Sequence, residues 1–330
     1  MIHHNVKYIG RYTMKKIVLI LLFVVLACPA MAQEMFINGG ATRDTKTGTT
    51  AGQWSVTYLQ GLGKYAAFSF SYINEGHQPN HYRDGLAGQI WGRTAILNQR
   101  LSLALGVGPF AYADTKVTPV RDTFENAHGF GIISSATATW LGLSPFLLQV
   151  RFNYITTQHS FDTLSATFGI GYLLDAKPSQ PKPTQSTGTT KNEITLLLGQ
   201  TVLNSARGEK GTAMSVEYRR KLFRYMDWTV AWLNEGDTRP IGRWGVNTQL
   251  WAVRDFFDDH LVLGIGAGPY FARDKYSGED GQRSTIAGDV SFMAAYRFLP
   301  QLALRFSFSR IITDYSRDTD VFMGGLSYRF

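Results

Sequence analysis

From residue 35 onward the chain alternates between bulky apolar and small positions. Leu101, Leu103, Leu105 and Val107 are separated by Ser102, Ala104, Gly106 and Gly108, which puts the aliphatics on one face. Phe68, Phe70 and Tyr72 alternate with Ser69 and Ser71, and Trp54, Val56 and Tyr58 with Ser55 and Thr57. Phe168, Ile170 and Tyr172 alternate with Thr167, Gly169 and Gly171, and Leu302, Leu304, Phe306 and Phe308 with Ala303, Arg305, Ser307 and Ser309. A period of two is the mark of β-strands. It predicts eight strands in the first half, over 35–44, 51–61, 66–74, 85–96, 101–113, 129–142, 146–158 and 163–174, and the same plan in the second.

The two faces differ from those of a soluble sheet, whose solvent side would be charged. Here one face is apolar and the other is Gly, Ser, Thr and Ala with scattered Arg and Gln. An oily exterior around a small, polar interior is the inverted pattern of a membrane barrel. Several segments match the roughly 9–11 residues of a tilted spanning strand. Compact inward residues suit a narrow eight-stranded lumen. The connections at 61–65, 97–100 and 143–145 are short, whereas 75–85 and 114–128 read as longer, polar, outward-facing loops. After residue 32 no apolar run is long enough for a transmembrane helix.

The second half repeats the first. Tyr72-Ile-Asn74-Glu75-Gly76 returns as Trp232-Leu-Asn234-Glu235-Gly236, and Gln89-Ile-Trp91 as Gln249-Leu-Trp251. Residues 103–114, LALGVGPFAYAD, match 263–274, LGIGAGPYFARD; nearer the ends Thr157, Ser160 and Asp162 match Thr313, Ser316 and Asp318. Between the copies the Pro, Ser, Thr and Gly of 176–192 mark a linker, leaving repeats over 33–175 and 193–330.

Charged residues make up only 18% of the chain and the formal charge is +8. Part of that charge sits in a predicted leader. Lys15 and Lys16 precede the apolar run 17–26, and Ala30-Met31-Ala32 forms a cleavage site, so 1–32 reads as a signal peptide with 1–13 as an upstream extension of a Met14 start. Cys28 in a lipoprotein-like Val25-Leu26-Ala27-Cys28 box is the competing reading, weakened by Pro29 and by the better site that follows. Cleavage after Ala32 removes four cations and no acid, which halves the charge and leaves no basis for a nucleic-acid partner. It also removes Cys28, the sole cysteine, and with it disulfides and thiol chemistry.

The ending Gly325-Leu-Ser-Tyr328-Arg-Phe330 resembles the assembly signal of Gram-negative outer-membrane β-barrels, and Gly169-x-x-Tyr172-x-Leu174 is similar at the end of the first copy. The resemblance implies an outer-membrane location among lipid and lipopolysaccharide, and engagement of the Phe330 end by the barrel-assembly machinery. Two such ends and the linker favour an all-β fold of two tandem, antiparallel, up-and-down transmembrane barrels of eight strands; one sixteen-stranded barrel is the alternative.

Four constellations bear on chemistry. Gly106-x-Gly108 and Gly264-x-Gly266-x-Gly268 lie within alternating strands with no helix following, so a strand role outweighs phosphate binding. His77, His81 and Asp84 share the 75–85 segment, but the loop contains Pro79 and the second copy has Asp237 and Ile241 in place of the histidines. No metal or other cofactor is expected. His159, Ser160 and Asp162, with Glu75 as a second orienting acid, contain the groups of a hydrolase. The barrel plan is similar to that of the lipid A 3-O-deacylases, which implies a lipid acyl hydrolase with His159 as base. Their His-x-Ser-Asn motif is absent after Arg151, and Tyr315 replaces His159 in the second copy.

The last set is polar and shared by both copies: Glu75/Glu235, Arg83/Arg243, Gln89/Gln249, Asp114/Asp274 and Arg151/Arg305. Parity turns Gln89 and Arg151 inward, where a charge needs a partner. An internal polar network that rigidifies each barrel is favoured over a ligand cup or gate. The leading expectation is a structural or envelope-interaction barrel whose loop cations, including Arg43, Arg207, Arg273, Lys275 and Arg283, meet lipopolysaccharide. The hydrolase and a passive pore are the alternatives.

Overall fold

The computed structural model describes residues 31–117, 123–174, 191–276 and 282–330. The predicted leader up to residue 30, with Cys28, and most of the predicted linker lie outside them. Every regular element is a strand. The first half forms β1 Met31–Asp44, β2 Thr50–Gly61, β3 Ala66–Gln78, β4 His81–Ile96, β5 Leu101–Val117, β6 Phe124–Leu143, β7 Phe146–Thr157 and β8 Thr163–Leu173. The second forms β9 Asn192–Leu203, β10 Lys210–Phe223, β11 Met226–Asp237, β12 Ile241–Phe256, β13 Leu261–Tyr276, β14 Arg283–Arg297, β15 Leu302–Ile312 and β16 Thr319–Arg329.

Each half closes on itself. β1 pairs with β2 on one side and with β8 on the other, Ile37 standing opposite Val56 and Ile170. β9 pairs in the same way with β10 and β16, Leu196 opposite Val216 and Leu326. The two sheets are therefore two closed, antiparallel, eight-stranded barrels. Closure leaves no strand edge, so every ladder group finds a partner within its own ring.

Alternation along the strands sorts side chains between wall and lumen. Leu105, Ile170, Leu198, Ile286 and Phe306 face outward and are more than half exposed, while Ser69, Gln89, Arg151, Thr195 and Arg305 are buried inside. The lumens are less uniformly small and polar than expected. Ile73, Ala87, Phe110, Tyr112, Ile133 and Ile155 form a buried apolar cluster in the first barrel, and Leu197, Leu233, Tyr270, Ile311 and Val321 belong to one in the second. Both interiors are thus sealed by apolar as well as hydrogen-bonded layers.

The strands also run further than the apolar pattern suggests. The expected loop 75–85 is a hairpin, because β3 continues to Gln78 and β4 begins at His81. Only 79–80 remain as a turn, with Asn80 at φ 63°. β5 likewise reaches Val117, and β6 starts at Phe124. Beyond the apolar band both faces are polar, so the ladder continues where alternation of hydrophobicity has stopped.

Candidate functional site

The polar residues shared by the two copies gather in the lumens, at two levels. The first lies toward the barrel end opposite the chain termini. In the first barrel the Arg83 guanidinium grips Glu75 through Nε and Nη2, the latter at 3.0 Å, and both side chains are buried. Arg83 also donates to Ser160 Oγ at 3.1 Å, to Thr163 Oγ1 at 3.2 Å and to the Phe161 carbonyl. Its guanidinium stacks 3.9 Å from the Phe161 ring centroid, and Thr163 Oγ1 donates to Glu75. Asp114, expected beside this cluster, instead receives His81 Nδ1 at 3.0 Å.

The second barrel rebuilds the cluster with different partners. Arg243 Nε donates to Asp274 at 2.8 Å, while Nη1 lies 3.5 Å from Glu235. Nη2 donates to the Tyr315 hydroxyl at 3.0 Å, and Tyr315 itself donates to Asp274. Burial pushes the Tyr315 hydroxyl above the ordinary tyrosine range; Arg243 opposes the shift and the bond to Asp274 adds to it. Thr319, the counterpart of Thr163, again donates to the glutamate.

The bulge that aims these glutamates comes from the Asn-Glu-Gly motif. Asn234 stands opposite Trp244 and Gly236 opposite Arg243, so Glu235 is the extra residue in β11. Asn234 Oδ1 accepts the Gly236 N–H at 2.9 Å, and Gly236 sits at φ 74°. Asn74 and Gly76 repeat the device at 3.0 Å and φ 70°.

At the second level Arg151 is fully buried among neutral acceptors: Nη2 donates to Gln89 at 2.6 Å, Nε to Asn153 at 2.7 Å and Nη1 to Thr57 at 3.1 Å. Gln89 continues the chain to Ser135. The pairing of Gln89 with Arg151 expected from parity is present. Arg305, in the matching place, pairs with Glu217, Nη2 donating at 3.0 Å, and Arg219 joins the same carboxylate and Asp227. Gln249 donates to Ser291 at 2.8 Å rather than to Arg305. Beneath each arginine lies an indole, Trp91 or Trp251, whose N–H donates to Ser69 or Thr229.

The glycine patterns make room for these indoles. A Cβ on Gly106 or Gly266 would come within 2.4 Å of the Trp91 or Trp251 ring. The G-x-G spacing thus serves lumen packing, with no phosphate loop.

The residues of the hydrolase reading occupy the turn between β7 and β8. His159 is exposed there. The Ser160 hydroxyl receives Arg83, and the Asp162 carboxylate receives the Thr157 N–H at 2.9 Å. Asp318 repeats that last bond on Thr313 at 2.8 Å, so the aspartate holds the same turn in both barrels, including the one without a histidine. Glu75 is committed to Arg83 and Thr163. Among the described residues no three His, Cys, Asp or Glu side chains converge as a metal site.

No family model matches this sequence, and no curated protein does. Likenesses exist among solved structures, each at the length of one barrel. The N-terminal β-barrel domain of OprF from Pseudomonas aeruginosa aligns with a TM-score of 0.35 at 12% identity, over 43% of this chain and 98% of that one. Neisserial surface protein A aligns with a TM-score of 0.35 at 8% identity, over 43% and 96%. Ail of Yersinia pestis, solved with the heparin analogue sucrose octasulfate, aligns with a TM-score of 0.33 at 13% identity, over 43% and 99%.

Proposed function

We propose that this is an outer-membrane protein of a Gram-negative bacterium whose two barrels are closed, lipid-embedded bodies with a structural or envelope-interaction role. In this reading the barrel ends opposite the termini face outward and meet lipopolysaccharide or an external ligand. The filled lumen carries the argument. Each interior is crossed by an arginine-centred network and by apolar side chains, in a wall whose outer face is oily. Such a wall suits hydrocarbon, and such an interior conducts nothing without breaking buried ion pairs.

The test is single-channel recording on the full chain in planar bilayers. Insertion with a flat baseline is expected, and steady nanosiemens openings would overturn the sealed-barrel reading. Recovery of the folded protein in water without detergent would overturn the membrane reading itself.

A further inference from the structure

The outer wall of the second barrel carries a basic feature that the first lacks. Arg273 and Lys275 are exposed at the end of β13 opposite the termini. Arg273 stands between Trp244 on β12 and Ser284 on β14, and its guanidinium lies 5.5 Å from the Trp244 ring centroid. Lys275 lies opposite Gly242, which leaves the ammonium uncovered on that side. One row toward the termini, Val246, Phe271 and Ile286 stand side by side with 44%, 50% and 68% of their surfaces exposed.

Charge near the pair is one-sided. Asp274 lies between the two cations in sequence but is turned into the lumen on Arg243, and Asp237 on the neighbouring strand accepts the Arg239 N–H. Among the described residues no carboxylate pairs with Arg273 or Lys275. At the matching positions the first copy has Ala113 and Thr115, with Asp84 in place of Trp244. The patch therefore does not follow from the barrel plan.

We infer that this wall binds the phosphate of a lipid A molecule, with an acyl chain lying along Val246, Phe271 and Ile286. A guanidinium presents a planar fork to two phosphate oxygens, and an ammonium adds a second charge without geometric demand. Trp244 holds the guanidinium by its ring face at the level where an indole rests between headgroup and hydrocarbon. Lipid A is the occupant because this end faces the outer leaflet, so the inference rests on the proposed membrane orientation.

The test is native mass spectrometry of the detergent-solubilised full chain titrated with bisphosphorylated lipid A. The wild type is expected to retain it, and Arg273→Ala/Lys275→Ala to weaken retention roughly tenfold or more. Arg220→Ala/Arg224→Ala, which removes exposed cations at the opposite end of the same barrel, is expected to leave retention unchanged. Arg273→Lys keeps the charge, and so the fold's demands, but loses the fork; an intermediate loss is expected. Lipid A retained equally by the double variant, lost equally by the Arg220/Arg224 control, or displaced equally by phosphatidylglycerol would overturn the inference. Insertion of each protein into bilayers is scored separately. A wild type that fails to insert sinks the membrane reading, whereas one that inserts and binds no lipid A sinks only this site.

Discussion

Position 57 of the first barrel and its counterpart at 217 show how one side chain alters a buried network. Thr57 offers Arg151 a hydroxyl, and the guanidinium completes its bonds with Gln89 and Asn153. Glu217 offers Arg305 a carboxylate, and that charge also holds Arg219. Removing a carboxylate from two buried guanidiniums costs more than removing one neutral acceptor from a charged donor. Glu217→Thr is expected to destabilise by about 3–5 kcal/mol, and Thr57→Ala by about 2 kcal/mol. Urea unfolding of the detergent-refolded chain, followed by loss of the compact gel band, checks both. Arg151, Arg305 and Gln89 were legible in the sequence because strand parity alone turns them inward. Glu217 and Arg219 were not, because a reading built on polar residues common to both copies passes over a glutamate whose partner position holds threonine. Asp162 was legible as a shared residue but not in its role, since a turn-holding bond to a backbone N–H leaves no trace in side-chain type.

The strand with its bulge is the unit that positions the lumen acids. Without the extra residue in β11, alternation could not place Glu235 against Arg243 while keeping Trp232 and Trp244 on the outer face. The glycine that closes the bulge is required twice over. A Cβ on Gly236 would lie 2.3 Å from the Thr212 carbonyl oxygen, and its φ of 74° is one that side chains resist. Gly236→Ala is expected to cost about 2 kcal/mol or more. Gly39→Ala on β1, where nothing lies within 4 Å, is expected to be nearly neutral. Comparing the two thermal midpoints in one detergent checks the contrast. At this scale the sequence shows strand centres better than strand ends. The alternation of Phe68, Phe70 and Tyr72 with serines marks the lipid-facing stretch of β3. Its continuation to Gln78, and the start of β4 at His81, are held by backbone pairing and by Glu75–Arg83 and His81–Asp114, none of which has an apolar period.

For the whole molecule the decisive contacts are the ladders that close each ring. Two tandem barrels require β1 beside β8 and β9 beside β16. A single sixteen-stranded ring would instead place β8 beside β9 and β16 beside β1. The duplication made two rings the better reading, yet repeat, linker and strand count are all compatible with one, because ring size is set by which edges meet. The structure joins Ile37 to Ile170 and Leu196 to Leu326 as directly opposed, outward-facing pairs. Opposed residues of antiparallel strands have Cα atoms about 4.5–5.5 Å apart, within the range a disulfide spans. The only native cysteine, Cys28, lies in the predicted leader, so engineered thiols report without competition once Cys28 is replaced by serine. Ile37→Cys/Ile170→Cys and Leu196→Cys/Leu326→Cys are each expected to form an intramolecular disulfide on mild oxidation of the folded protein, read as a mobility shift on non-reducing gels. Ile170→Cys/Leu196→Cys is expected to stay reduced. The opposite result, a bond only in the last variant, would mean one large ring; its lumen would be too wide for Arg151 to reach Gln89 and Thr57, and the sealed interior would go with it.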